Sequence, residues 1–200
     1  VLVFHAFPQL LPGGFVGVDV FFVISGYLIT SILSAELRRD IFSFRRFYER
    51  RVRRLIPSLL IVVAATYVAG WWVLYPEELE DLGNQALAGL LFLANIYQWS
   101  DSGYFDAPAK TKPMLHLWSL GVEEQFYLVW PLILYGLSRA GARPIIWVAG
   151  LSLGSFLTGL SLMASDPSGA FYLPISRFWQ IGIGAMLALL PAQPRLSLPY

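Results

Sequence analysis

The stretch FVGVDVFFVISGYLITSIL, from Phe15 to Leu33, carries one charged side chain, that of Asp19. A helix needs about 20 residues to cross the hydrocarbon layer of a membrane, because the layer is about 30 Å thick and each residue advances the helix by about 1.5 Å. The stretch comes close to that length and is almost entirely apolar. It therefore predicts a transmembrane helix and makes lipid the solvent of this part of the chain.

The composition of the whole chain agrees with a membrane protein. Of its 200 residues, 56% are hydrophobic and 14% are charged, and the mean hydropathy is +0.60; a soluble domain is more polar than this. The net charge of +1 gives no general attraction for nucleic acid. Because the chain has no cysteine, disulfides, thiolate metal sites and cysteine nucleophiles are excluded.

Further apolar windows bounded by proline, glycine or charged residues predict more spans. They are Leu55 to Leu74, Leu115 to Leu137, Ile145 to Ala164 and Phe171 to Leu190. The weaker window Leu82 to Trp99 contains Asn84, Gln85 and Asn95, and it could span, re-enter or lie at the interface. The apolar residues before Phe7 are expected to be the tail of a truncated helix. The predicted fold is an all-α, polytopic transmembrane helix bundle.

Basic residues predict the orientation of this bundle. Eight arginines lie between Leu33 and Leu55, so the positive-inside rule places this predicted loop in the cytoplasm. The proline- and glycine-rich loop before Phe15 and the acidic segment Pro76 to Asp81 are then external. Arg139 and Arg143 place the following turn inside, which requires that Leu82 to Trp99 does not cross completely.

Ionisable groups inside predicted spans are candidate site residues, because each costs roughly 2.5 kcal/mol or more at the centre of a membrane. His116, Glu123 and Tyr127 follow one another at spacings of seven and four, so we expect them on one helical face that looks into the bundle. They could form a site or a buried polar network that fixes helix packing. Asp19 could belong to a site, pair structurally or lie exposed at the interface, and Arg177 could simply hold an interface.

The densest charge is the arginine run from Arg45 to Arg54, RRFYERRVRR. On a helix it places like charges three or four residues apart, where they repel, and an anion would relieve this repulsion. The guanidinium group of arginine can donate hydrogen bonds to two oxygens of one phosphate, so a polyphosphorylated ligand is a natural partner. The alternative is a purely topogenic role, helped by anionic membrane lipid.

His5 is a further candidate. A neutral imidazole can remove a proton from a hydroxyl near neutral pH, although a histidine at the end of a span also serves as a helix-end hydrogen bonder.

Four segments together resemble the acyltransferase 3 family of membrane O-acyltransferases. The segment GGFVGVDVFFVISGYLIT, from Gly13 to Thr30, resembles the family signature and contributes Asp19, Ser25 and Tyr27 as candidate site residues. The other three are FYERRVRRLIP from Phe47, HLWSLGVEEQFY from His116 and SGYFD from Ser102. They occur in the family's order over most of residues 1 to 190.

The resemblance implies transfer of an acyl group, usually acetyl, from cytoplasmic acetyl-CoA to a hydroxyl of an envelope glycan. The acceptor would be lipopolysaccharide O-antigen, peptidoglycan, exopolysaccharide or a lipid-linked sugar, and the enzyme would be a multi-pass protein of the inner (plasma) membrane. His5 matches the family's catalytic histidine, Arg51 and Arg54 its donor-linked arginine pair beside Arg50, and Glu123 its glutamate; His116 lies in the same motif. No metal and no nucleic-acid partner are expected.

The resemblance also implies that residues 1 to 200 are part of a domain of roughly ten spans. The family's essential arginine lies eleven positions before the histidine, which would place it upstream of Val1, so we expect an incomplete chain.

Two other classes of protein fit the same residues. A transporter or flippase for lipid-linked glycans would use Asp19, His116, Glu123 and Arg177 to line a path. A membrane scaffold would use them for folding alone. Release of free CoA from acetyl-CoA in the presence of a glycan distinguishes an acyltransferase from both.

Overall fold

The computed structural model describes residues 7, 9–10, 13–102 and 112–190, and in these residues the regular structure is helical throughout. A 3₁₀ turn at Gly14–Val16 leads into the first α-helix. The helices are α1 Gly17–Arg38, α2 Phe44–Val73, α3 Pro76–Leu90, α4 Ala94–Asp101, α5 Leu117–Arg139, α6 Pro144–Ser165, α7 Pro167–Tyr172 and α8 Pro174–Leu189.

Three helical segments of the described residues are long and apolar enough to cross a membrane: Gly14–Arg38, which contains α1, and helices α2 and α6. This confirms the predicted all-α membrane bundle. Helix α5 does not meet the same criteria, since Glu123 and Glu124 reduce the hydropathy of its centre, and α8 has only 16 residues. The prediction of one span from Phe171 to Leu190 was wrong at its start. Leu173 is extended before Pro174, where α8 begins, because proline disfavours a helical residue in front of it.

The arginine run lies on a helix and not in a loop. Helix α2 has 30 residues and continues through the run into the predicted span, so the predicted loop between Leu33 and Leu55 is reduced to the residues from Arg39 to Ser43. The Ser43 hydroxyl caps the helix by accepting from the Arg46 amide at 3.5 Å. The run is thereby held at a fixed orientation to the rest of the bundle.

Helices α2 and α5 are antiparallel. The Tyr48 hydroxyl donates to the Leu128 carbonyl at 2.7 Å, whereas Leu59 and Val63 share a buried cluster with Leu117. The C-terminal end of α2 therefore lies at the end of the bundle where α5 begins.

The weak window Leu82 to Trp99 folds as a re-entrant hairpin, helices α3 and α4 separated by a break at 91–93. The break includes Phe92, whose φ is +56°. The C-terminal end of this hairpin returns to the end of the bundle at which the hairpin begins. The Trp99 indole shows this, because it donates to Asp166 at 2.8 Å, just after α6 ends. Asp101 also pairs with Lys112 at 2.7 Å, shortly before α5 begins. The expectation that this window does not cross completely agrees with this geometry.

The side-chain amide of Gln125 on α5 satisfies the backbone at the break. The Gln125 amide donates to the Phe92 carbonyl at 2.7 Å and to Asn95 Oδ1 at 2.8 Å. Asn95 is fully buried. A Cβ at Gly121 would lie 2.7 Å from Asn95 Oδ1, so glycine is what permits this approach. Non-helical backbone at membrane depth is tolerated only when protein groups satisfy it in this way.

Helices α1 and α8 run parallel in backbone contact. A Cβ added at Gly26 would lie 1.9 Å from the Ile181 carbonyl oxygen, and one at Gly184 would lie 1.9 Å from that of Val23. Small residues allow membrane helices to approach in this way, and the gain is close packing. Beside this contact lies the main hydrophobic core, in which Phe22 and Trp130 are fully buried.

We predict that Gly184→Ala destabilises the protein by about 1–3 kcal/mol, because the new methyl group meets backbone and forces the helices apart. Gly136→Ala on α5 is the matched control, since no atom lies within 4 Å of the added Cβ. Thermal unfolding in detergent should show a lower Tm for Gly184→Ala alone. Equal Tm values for the two variants would contradict the packing described.

Candidate functional site

The carboxylate of Glu123 lies at the centre of the bundle, where its side chain is only 6% exposed. Two hydroxyl groups donate to its Oε1 atom, those of Ser25 on α1 and Tyr127 on α5. Tyr127 reaches it because residues four apart lie on one face of a helix. The contact with Ser25 joins α5 to the family-like signature on α1.

Arg51 extends this arrangement to α2. Its guanidinium carbon lies 3.6 Å from the centre of the Tyr127 ring, and its Nε donates to Glu124 Oε2 at 3.3 Å while Nη2 donates to Oε1. The fork of arginine suits such a two-point contact, and the ring adds a cation–π interaction. Ser25, Arg51, Glu123, Glu124 and Tyr127 thus form one buried polar network that joins α1, α2 and α5.

A cavity of about 300 Å³ adjoins this network. We call it the α2–α5 cavity, since it lies between those helices and is closed on another side by the break at 91–93. Its polar lining consists of Tyr48, Arg51, Glu124, Gln125 and Tyr127, and the remaining lining residues are apolar: Val52, Leu55, Ile56, Leu91, Phe92, Leu93 and Leu128. A small ligand pocket has this size and this mixture of apolar walls with few polar groups.

Carboxylates already neutralise part of the arginine run. Arg50 pairs with Glu36 at 2.8 Å and Arg53 with Glu49 at 2.6 Å, in addition to the pair of Arg51 with Glu124. These glutamates therefore relieve part of the repulsion for which the sequence suggested an anion. Arg45, Arg46 and Arg54 are exposed and form no ion pair with another residue of the described ranges.

Asp19 belongs to a second cluster at the other end of α1. Its Oδ1 accepts from Arg177 at 3.2 Å and from the Gln180 amide at 3.0 Å, both on α8. Arg177 also donates to the Phe171 carbonyl at 2.8 Å. Structural pairing, one of the roles considered for Asp19, and the interface role considered for Arg177 both agree with these contacts. Asp19 and Glu36 are about 25 Å apart by helical rise, so this cluster and the arginine run lie at opposite ends of the bundle.

The structure does not join every predicted residue to the network. His116 is exposed and precedes α5, which begins at Leu117, so the predicted common face with Glu123 and Tyr127 was wrong for His116. Tyr27 is 46% exposed, and Arg54 is exposed beside the cavity-lining Arg51. His5 lies outside the described residues. Among the described residues, no group of three His, Cys, Asp or Glu side chains could hold a metal ion.

Sequence reasoning missed Glu124 as the partner of Arg51 and Gln180 as a partner of Asp19. Two adjacent glutamates in an apolar window were a visible signal for Glu124, because each needs its own partner in a bundle. Nothing in the sequence singled out Gln180.

A family model described as an acyltransferase domain, that of acyltransferase 3, matches residues 1–199. The chain belongs to this family. The signature, the arginine motif and the helix that contains Glu123 are thus family segments, and they meet at the buried polar network.

Several curated proteins are similar to this member of the family. YrhL of Bacillus subtilis is 38% identical, with 98% of this chain and 32% of that protein aligned. The peptidoglycan O-acetyltransferase OatA of Listeria monocytogenes is 33% identical, with 98% of this chain and 33% of that protein aligned. An uncharacterized protein of Haemophilus influenzae is 33% identical, with 86% of this chain and 73% of that protein aligned.

The chain therefore spans about a third of the length of the first two relatives. No solved structure matches it significantly.

We predict that Arg51→Met or Glu124→Gln alone costs about 3 kcal/mol, since either leaves a largely buried charge without its partner. The double variant should lose less than the sum of the two, because neither charge is then stranded. The exposed pair Arg53–Glu49 is the control, and the same substitutions there should change stability by about 0.5 kcal/mol or less. Unfolding free energies of the two cycles measure this. Additive losses at Arg51 and Glu124 would disprove the coupling.

Proposed function

We propose that this chain is part of a membrane O-acyltransferase that transfers an acetyl group from acetyl-CoA to a hydroxyl of a cell-envelope glycan. The observation that carries the proposal is the buried polar network with the α2–α5 cavity beside it. Family membership supports acyl transfer, and the similarity to the peptidoglycan O-acetyltransferase of Listeria monocytogenes supports peptidoglycan as the first acceptor to test. Lipopolysaccharide O-antigen, exopolysaccharide and lipid-linked sugars are the other acceptors of this proposal.

The donor is proposed to bind at the arginine run. Arg54 is exposed and forms no ion pair among the described residues. Arg50 forms only a partly exposed ion pair with Glu36. Both arginines can therefore contact the phosphates of CoA. The thioester arm then enters the α2–α5 cavity, whose walls are mainly apolar. Arg51 is less available for phosphate because its guanidinium group is already bound to Glu124 at two points. Arg51 is instead proposed to fix the position of the side chains in the cavity wall.

The chemical step forms an ester and breaks the thioester. The acceptor oxygen attacks the acyl carbon, and His5 is proposed to take the hydroxyl proton and return it to the departing CoA sulfur. Glu123 is proposed as a positioning residue, since its carboxylate already accepts from Ser25 and Tyr127 and both hydroxyl groups are oriented by it. Hydrogen-bond donors near the acyl carbonyl would stabilise the oxyanion.

We propose that the protein lies in the plasma membrane with the arginine run on the cytoplasmic side, where acetyl-CoA is available. The second cluster, at Asp19, then faces the outer side, where an envelope glycan is available. Opposite access for donor and acceptor would follow from the separation of about 25 Å along α1.

No contact among the described residues favours the transporter hypothesis. Asp19 is paired with Arg177, Glu123 is bound by Ser25 and Tyr127, and His116 is exposed, so in the described part of the chain these groups do not line a common path.

We predict that Arg54→Ala in the full-length protein weakens acetyl-CoA binding by about tenfold or more, the effect of losing one charge-assisted contact. Arg53→Ala is the control, because Arg53 is the neighbouring exposed arginine and is already bound to Glu49. Calorimetric titration with acetyl-CoA measures both. Wild-type affinity in both variants would show that Arg54 does not contact the donor.

The full-length protein in vesicles is also predicted to release CoA from acetyl-CoA only when a peptidoglycan fragment is supplied, with one glycan ester formed per CoA released. Mass spectrometry of the glycan and a thiol assay measure the two products. Glycan movement across the membrane without CoA release would support the transporter instead.

A further inference from the structure

Helix α2 is long enough to reach from one headgroup region of a membrane to the other. Its 30 residues advance about 45 Å, which is the thickness of a bilayer together with both headgroup regions. Trp71 and Trp72 in its last turn are 66% and 83% exposed, and tryptophan is typical of a membrane–water boundary. Arg45 and Arg46 in its first turn therefore lie at the level of the opposite headgroups.

Four exposed arginines surround the turn between α1 and α2. Two lie at the end of α1 and two in the first turn of α2: Arg38, Arg39, Arg45 and Arg46. None of them forms an ion pair with another described residue. The two helix ends are kept together by the short connection 39–43 and by the pair of Arg50 with Glu36 at 2.8 Å. Like charges held so close repel one another, so the turn favours an anion.

The same turn presents an apolar side chain between the two pairs of arginines. Ile41 is 53% exposed. Aromatic contacts fix the turn, since the centre of the Phe42 ring lies 4.8 Å from that of Phe44 and 6.3 Å from that of Tyr135 on α5. An exposed isoleucine flanked by arginines suits the boundary of a bilayer, where the apolar group enters the acyl region and the guanidinium groups reach the phosphates.

The arginines of the first turn of α2 point away from the α2–α5 cavity. Phe47 is 2% exposed and Arg51 lines the cavity, so these two residues mark the side of α2 that faces the bundle. At 3.6 residues per turn, Arg45 and Arg46 are each rotated by about 100° or more from both of them. The arginine run therefore has two faces, and the contacts proposed for CoA, at Arg50 and Arg54, do not use these first two arginines.

We propose that the α1–α2 turn binds the phosphate headgroup of an anionic phospholipid, with Ile41 among the acyl chains. We call it the headgroup site; its basic residues are Arg38, Arg39, Arg45 and Arg46. Each guanidinium can donate two hydrogen bonds to one phosphate. The position at headgroup level and the exposed Ile41 favour a lipid over a soluble phosphate. The inference goes beyond the proposed function, because this ligand differs from CoA and its binding does not require acyl transfer.

The test is lipid binding by the full-length protein in detergent, measured by native mass spectrometry with dioleoyl phosphatidylglycerol and, for comparison, zwitterionic dioleoyl phosphatidylcholine. The wild type should bind phosphatidylglycerol more tightly. Replacing both arginines, by Arg45→Gln with Arg46→Gln, should weaken phosphatidylglycerol binding at least tenfold, because each arginine near anionic headgroups contributes about fivefold. Acetyl-CoA affinity should stay unchanged in this variant.

Asp40→Asn should have the opposite effect, which a loss of folding could not imitate. Asp40 is exposed in the turn at a φ of +54°, and asparagine tolerates this conformation as well as aspartate does. The substitution removes the negative charge beside the arginines, so phosphatidylglycerol binding should become about fivefold tighter. Unchanged or weaker binding would contradict the site.

Arg53→Gln with Arg143→Gln is the matched control, because it removes the same charge outside the headgroup site. Arg53 is already bound to Glu49, and Arg143 lies in the turn before α6. This variant should keep phosphatidylglycerol affinity within about twofold of the wild type, since exposed charges away from the ligand contribute little. Equal weakening in this control, equal binding of the two lipids by the wild type, or displacement of the lipid by inorganic phosphate at the same concentration would each overturn the inference.

Discussion

The buried carboxylate of Glu123 is the constraint on which the rest of this structure depends. An ionisable group at this depth needs donors, and helix α5 alone supplies only Tyr127. The second donor, Ser25, comes from α1, which fixes the register of α1 against α5. Tyr127 in turn lies under the guanidinium of Arg51, so α2 is held at the same level. One carboxylate thus sets the relative positions of three helices.

The α2–α5 cavity follows from these positions. Arg51 and Glu124 form its polar wall, and the break between α3 and α4 closes it from another side. Gln125, the next residue of α5, satisfies the backbone of that break. Consecutive residues of α5 therefore have separate tasks: Glu123 orders the network, Glu124 holds Arg51 and Gln125 holds the re-entrant hairpin. This division of tasks explains why so polar a sequence occurs within an otherwise apolar helix.

Hydropathy was enough to predict the helical bundle, and the cost of buried charge was enough to single out Asp19 and Glu123 as groups that need partners, because these depend on each residue's own chemistry. Arg51 was singled out by the resemblance to the family. Partners could not be predicted, since Glu124 and Gln180 acquire their contacts only when α5 meets α2 and α8 meets α1. Helix ends were also uncertain. A start at Leu117 excludes His116 from the helical face, and the cap at Ser43 brings the arginine run into α2. The roles of His5 and Arg54 stay predictions.

The central claim is that the network and the α2–α5 cavity receive the acyl end of the donor. The most direct measurement is photo-crosslinking of the full-length protein with an acyl-CoA analogue that carries its photoreactive group on the acyl chain. Peptide mapping should place the label on residues that line the cavity, such as Tyr48, Tyr127, Leu128 or the break at 91–93. Labelling confined to helices that do not border this cavity, with acetyl-CoA able to compete it away, would contradict the account.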